Sequence, residues 1–356
     1  MNKKSLKEIT RNLTYAIDSF VDKWKFILLL AFVVFLVALP FLGASSYFLR
    51  IVIMIGIYAM LGMGLNMLIS TGLVSLGHAG FYGVGAYTYA LLATHFEIPF
   101  IIAAIAGAVM AGLCGLLISL PTLKLKGPYL TVVTMGFGEV AKMIFINWKR
   151  VTRGAMGIRA IPNPSFLGYT LTLENNGIYY LMLIFTALIA VFCYLIMNSK
   201  YGRAFAAIKE DEQVGILMGM RTTHYRELAF ALSAIITGLV GAFYASFLTY
   251  IDPNSFTNDI STMIISVVIL GGMGTIRGAI VGAVLLIGLP ELSRSLMEYR
   301  FVLFGLVLIV MMRWRPQGIL GWKSTLPYKI PKLAKDMLEK RAEEKAGNMS
   351  VTTDLN

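Results

Sequence analysis

Residues 51–94 read IVIMIGIYAMLGMGLNMLISTGLVSLGHAGFYGVGAYTYALLAT, a run without one Asp, Glu, Lys or Arg. A bilayer core of about 30 Å is crossed by roughly 20 apolar residues in a helix. The run is therefore long enough for two crossings, which we place near 51–70 and 73–94. The same ruler puts further spans near 26–49, 98–121, 128–147, 177–198 and 227–249. Three shorter runs follow near 260–274, 276–291 and 300–313. The expectation is an all-α, polytopic transmembrane bundle of about ten spans, some short or broken.

Composition agrees. Of 356 residues, 57% are hydrophobic before the 34 glycines are counted, and only 14% are charged, against about 25% in ordinary globular domains. Mean hydropathy is +0.74. A soluble enzyme, a disordered chain and a disulfide scaffold are excluded. The net charge of +12 does not indicate nucleic acid, because the basic residues sit between long neutral runs, where Lys and Arg report orientation. In the ten-span scheme 23 of the 31 Lys and Arg residues fall on one side and seven on the other. That split puts both termini and the 199–226 loop in the cytosol. The apolar run after the basic N-terminus exceeds a signal-peptide core of about 7–15 residues and reads as a retained span. The domains are a cytosolic segment 1–25, a permease domain 26–314 and a basic cytosolic tail 315–356.

Gly274, Gly278 and Gly282 recur every fourth residue, as do Gly238–Ala242 and Gly107–Ala111, a spacing that lets helix backbones approach closely. No G-x-x-x-x-G-K-[ST] loop is present, so the chain carries no ATP site of that type. His78, His95 and His224 have no metal-site spacing, and Cys114 and Cys193 lie inside apolar runs. No cofactor, metal or catalytic set is expected. Ionisable groups within spans are costly and mark function. Glu139 and Lys142, spaced i,i+3, form either an ion pair or part of a pathway.

The polar stretch 199–226 stands apart. Arg203 to Met220 reads as one short amphipathic helix with the charged cluster Lys209-Glu210-Asp211-Glu212, and Gly219 at its end suits a residue with φ > 0. Such a helix either docks into a partner's groove or lies on the bilayer surface.

Four stretches resemble one family, the ABC-importer permeases for branched-chain amino acids of the LivM type. They are Gly64-Leu65-Asn66 with Gly72 to Phe81 and Gly83 to Tyr87; Thr134 to Glu139 with Thr152-Arg153-Gly154 and Gly157-Ile158; Gly202-Arg203-Ala204 through Ile208 and Glu212 to Met218-Gly219; and Leu270 to Thr275 with Gly278, Leu289-Pro290-Glu291 and Arg315 to Leu320. The resemblance implies a multi-pass subunit of the bacterial inner membrane. Its implied partners are a second, LivH-like permease, two ATPase subunits that bind the ATP, and a substrate-binding protein. It also implies that Arg203, Ile208, Glu210, Asp211, Glu212 and Gly219 couple to the ATPase. Val214-Gly215-Ile216 departs from the family pattern, which has small residues there. Asn66, Ser75, His78 and Glu139, polar groups in glycine-broken spans, are the expected translocation path. Leucine, isoleucine and valine are the implied substrates. Urea, short amides or other amino acids are alternatives within the class, and an ion-coupled secondary transporter is the alternative outside it.

Overall fold

Gly43, at φ +76, and Ser45, whose Oγ accepts from the Phe48 N–H at 3.3 Å, interrupt the chain before helix α1, Ser46–Ile69. The expected first span therefore stops short of 49, and the second begins at Ser46. The computed structural model describes residues 34–43, 45–122, 128–166, 169–288, 305 and 318–320. Residues 26–33 of the expected first span, the expected span at 300–313 apart from residue 305, Leu289-Pro290-Glu291, and most of both terminal segments lie outside them.

Helix α2 (His78–His95) starts five residues later than the hydropathy indicates. The hydroxyls of Ser70 and Thr71 turn back to the carbonyls of Met67 and Leu68, and Gly72 at φ +81 completes the break. The irregular stretch that follows is satisfied inside the bundle. Thr131 Oγ1 donates to the Val74 carbonyl at 3.1 Å, and Thr134 Oγ1 accepts from the Leu76 N–H at 3.2 Å. Non-helical backbone is tolerated at membrane depth only on such terms.

Helices α3 (Phe100–Thr122), α4 (Pro128–Asn147) and α5 (Gly177–Asn198) match their expected spans closely. They turn Ile102, Leu117, Val140 and Leu188 outward, an apolar surface suited to hydrocarbon. Past the polar segment, α6 (Lys200–Glu210) and α7 (Glu212–Leu217) lead into α8 (Thr222–Leu248), which lies at the centre against α2 and α3. A Cβ at Gly85 would strike the Gly238 backbone, one at Gly107 would stand 2.7 Å from the Gly85 carbonyl, and one at Gly238 would strike Ala111. Three helices thus meet backbone to backbone, as the small-residue spacing predicts.

Helix α9 (Asn258–Gly271) and α10 (Ile276–Ala283, continued by a π turn through Gly288) are joined by a four-residue break and bent by 115°. The two runs expected as separate crossings are one doubled-back element, a broken span or a re-entrant hairpin. Gly274 lies in the turn, at φ +84, and not on a helical face with Gly278 and Gly282. Those two carry the close contact, since a Cβ at Gly271 or Gly282 would meet the carbonyls of Gly278 or Val267. Gly318–Leu320 close over this turn. The N–H groups of Ile319 and Leu320 donate to the carbonyls of Leu270 and Gly271, at 3.0 and 2.9 Å. Among the described residues five helices are long and apolar enough to cross a membrane, or six with the bent pair.

The connection between α4 and α5 holds short strands. β1 (Ile158–Arg159) pairs antiparallel with β4 (Tyr250–Ile251), and β2 (Ser165–Phe166) pairs with β3 (Tyr169–Thr170). Tyr87 stacks on Phe145 at 4.3 Å beneath this cap.

Candidate functional site

The 199–221 segment is an elbow of two helices, not one. Asp211 is extended (φ −155, ψ 111) and ends α6. Its Oδ1 then accepts from the N–H groups of Gln213 at 2.8 Å and Val214 at 3.3 Å, capping α7, as an Asx side chain at an N-cap does. The far end closes in a Schellman motif. The Met220 N–H donates to the Gly215 carbonyl and the Gly219 N–H to that of Ile216, with Gly219 at φ +78. The left-handed glycine expected at the end of the helix is there.

Burial divides the apolar residues of this elbow. Phe205 and Ile208 are 0% and 2% exposed and pack on the chain itself, while Leu217 and Met218 are 85% and 78% exposed, with Val214 and Ile216 beside them. Ile208 was expected to meet a partner; it anchors the elbow instead. The acidic cluster separates likewise. Glu210 is exposed, Asp211 serves as the cap, and Glu212 Oε1 holds Arg226 Nη1 at 2.6 Å, tying α7 to the first turn of α8. Arg203 is exposed and donates from Nη1 to the Asn198 carbonyl at 3.3 Å.

The four expected path residues take different partners. Asn66 is buried at the α9–α10 turn, where Oδ1 accepts from the Gly274 N–H at 2.6 Å and Nδ2 donates to the Thr275 carbonyl at 2.8 Å. Ser75 is fully buried, and its Oγ accepts from the Gly77 N–H at 3.2 Å. His78 is buried against α8. Ser233 Oγ donates to the Gly64 carbonyl at 2.7 Å, which leaves its lone pair to receive the His78 Nε2–H at 2.8 Å. Asn66 and Ser75 are held by the chain's own backbone, and His78 is held through Nε2 while its buried Nδ1 has no hydrogen-bond partner among the described residues.

Glu139 differs. It is half-buried on α4, and its Oε1 accepts from Asn258 Nδ2 at 2.7 Å. It forms no ion pair with Lys142. Asn258 heads a polar row on α9 with Thr262 and Ser266 at i+4 and i+8, so α4 and α9 together present a polar strip on the outside of the bundle. Hydropathy does not reveal Asn258 or Ser233 as partners; the four-residue spacing of Asn258, Thr262 and Ser266 is the one signal that could have. An apolar cleft of about 630 Å³ between α3 and α5, lined by Ile101, Ile105, Tyr169, Tyr180, Ile184 and Phe185, contains none of these residues. Among the described residues no three His, Cys, Asp or Glu side chains gather as metal ligands.

Comparison with known proteins adds a family. Residues 47–312 match the family described as "Branched-chain amino acid transport system / permease component". The chain is 33% identical over 342 residues to the high-affinity branched-chain amino acid transport system permease protein LivM of Escherichia coli (strain K12), covering 89% of this chain and 80% of that protein. It is 23% identical over 255 residues to the probable branched-chain amino acid transport permease protein LivM of Methanocaldococcus jannaschii, covering 67% and 72%. A shorter match, 31% over 140 residues and 38% and 44% of the two chains, is to the permease protein LivH of Salmonella typhimurium. No solved structure matches.

Proposed function

This chain belongs to the family of permease components of branched-chain amino acid transport systems, and we propose that it is one membrane-embedded half of an ATP-driven importer for leucine, isoleucine and valine. A second permease of related fold completes the pathway, a reading supported by the likeness to both LivM and LivH proteins. Separate ATPase subunits supply the energy, and a binding protein delivers the substrate on the opposite face. The membrane is the bacterial inner membrane, with the termini and the 199–221 elbow in the cytosol.

The observation that carries the reading is the elbow. Four apolar side chains, Val214, Ile216, Leu217 and Met218, project from a short helix fixed at both ends, by the Asp211 cap and by the Gly219 turn. Exposed apolar residues on a rigid support suit insertion into a partner's groove. The support in turn is bolted to α8 through Glu212–Arg226, so a push on the tip is transmitted to the central helix.

The polar strip of α4 and α9 faces outward at membrane depth, where Glu139, Asn258 and Thr262 are costly against lipid. The second permease covers it, and the path runs between the two subunits. Purification from native membranes through this chain, with identification of every co-purifying subunit, tests the assembly. Uptake that persists after ATP is depleted with the ion gradient intact contradicts it. Gln213→Cys should resist an impermeant thiol reagent applied to intact cells, while Met156→Cys, at the other end of the bundle, should react. The reverse pattern overturns the orientation.

A further inference from the structure

We infer that Glu139 and Lys142 form a receptor for the charged head of a zwitterionic amino acid, with Glu139 taking the α-ammonium and Lys142 the α-carboxylate. The inference rests on the permease reading above and specifies how its pathway holds the substrate.

Two opposite charges spaced i,i+3 on one helix have Cβ atoms about 5–6 Å apart and are within reach of each other, at a gain of about 0.2–0.5 kcal/mol. Here they do not pair: no Glu139–Lys142 contact falls within ion-pair distance, and Glu139 is held by Asn258 Nδ2 at 2.7 Å through one oxygen. The second carboxylate oxygen and the Lys142 ammonium make no hydrogen bond or ion pair among the described residues. A cation and an anion kept apart at this spacing, half-buried within an apolar span, are complementary to a molecule bearing both charges on one carbon. An amino acid leaving water needs an opposite partner for each charge, and this pair supplies both.

The neighbours on the same face suit the rest of such a molecule. Val132, Met135 and Met143 lie at i−7, i−4 and i+4 from Glu139 and are 66%, 42% and 50% exposed. Methionine side chains adapt to aliphatic groups of different branching. The head is thus read by charge and the side chain only by apolarity, which suits a path shared by several aliphatic amino acids.

The test uses the complete transporter, purified through this chain and reconstituted in proteoliposomes with its binding protein. Glu139→Gln keeps an oxygen for Asn258 Nδ2 and removes only the charge; Lys142→Met keeps the stem. Each should lower tritiated leucine uptake by about tenfold or more, the effect of losing one charged hydrogen-bond partner, with subunit composition unchanged. Photo-leucine, a zwitterion with a diazirine in its side chain, should cross-link to residues 132–143 during turnover in the unsubstituted complex and not in either variant. A purely structural Glu139 predicts that the Gln variant transports normally. Normal uptake by both variants, or adducts elsewhere in a complex that still imports leucine, overturns the receptor alone. Failure of the unsubstituted complex to import any branched-chain amino acid overturns the permease reading, and the receptor with it.

Discussion

Asn66 and Gly274 lie 208 positions apart in the chain and are joined at 2.6 Å, the Gly274 N–H donating to the Asn66 side-chain oxygen. The Asn66 side-chain Nδ2 in turn donates to the Thr275 carbonyl at 2.8 Å. One side chain on α1 therefore satisfies both a donor and an acceptor of the turn that reverses α9 into α10. Asn66→Ala leaves two backbone groups unpaired and should destabilise the protein by about 1–3 kcal/mol, read as a lower unfolding midpoint in detergent. Asn66→Asp sets a carboxylate against the Thr275 carbonyl and should not rescue it. A variant as stable as the parent contradicts this role.

Ser233 bridges α1 and α2 through α8. Ser233→Ala strips partners from both the Gly64 carbonyl and the His78 Nε2–H, and the loss should again be about 1–3 kcal/mol. The measurement is thermal unfolding of the purified chain. Because the network lies inside the bundle, stability should fall before any change in substrate preference, and a selective change in preference with unaltered stability would return His78 to the pathway.

At the crossing of α2, α3 and α8 the added atom meets backbone at Gly85 and the Ala111 methyl at Gly238, neither of which can rotate aside. Gly85→Ala and Gly238→Leu should each reduce the amount of folded protein recovered from membranes, with a cost of about 1–3 kcal/mol or more. Gly136 offers a control on α4, since a Cβ there meets nothing within 4 Å. Gly136→Ala should leave the unfolding midpoint of the isolated chain unchanged. Equal behaviour of the three variants would show that the crossing is looser than described.

Leu217 and Met218 should behave unlike Phe205 and Ile208. A charge at the exposed tip, Leu217→Asp or Met218→Asp, should leave the chain folded and inserted while ATPase co-purification and uptake fall together, by tenfold or more if the tip is a hot spot of about 2 kcal/mol. Asp at buried Ile208 should instead unfold the elbow itself. Normal co-purification with both tip variants would remove the elbow from the ATPase interface.

Much of this was legible in the chain. The uncharged stretch of α5 was delimited to the residue because its ends are polar and its interior is not. The small-residue spacing in α3 and α8 announced close helix contact, though not which helix each would meet. What hydropathy could not give was direction. The runs near 260–274 and 276–291 are apolar enough to pass for two crossings, and only the contact of Gly271 with Gly278 and the 115° bend show that the chain doubles back. The start of α2 was misplaced for a related reason. Leu73 to Leu76 is as apolar as a helix, yet its backbone bonds are made by Thr131 and Thr134, 57 or 58 residues away. The elbow shows the same limit. Apolar periodicity grouped Ile208 with Leu217, whereas the Asp211 cap rotates one inward and the other outward.

The clasp of Gly318–Leu320 over the α9–α10 turn has a consequence for the order of events during synthesis. Thr275 Oγ1 reaches the Leu320 carbonyl across 45 positions, and the carbonyls of Leu270 and Gly271 receive their donors from Ile319 and Leu320. While the ribosome is still making that later stretch, the turn exists as two adjacent helices whose terminal carbonyls have no protein donor from the clasp. The turn thus gains these bonds only once residues 318–320 have emerged, and a chain released before residue 318 would lack them.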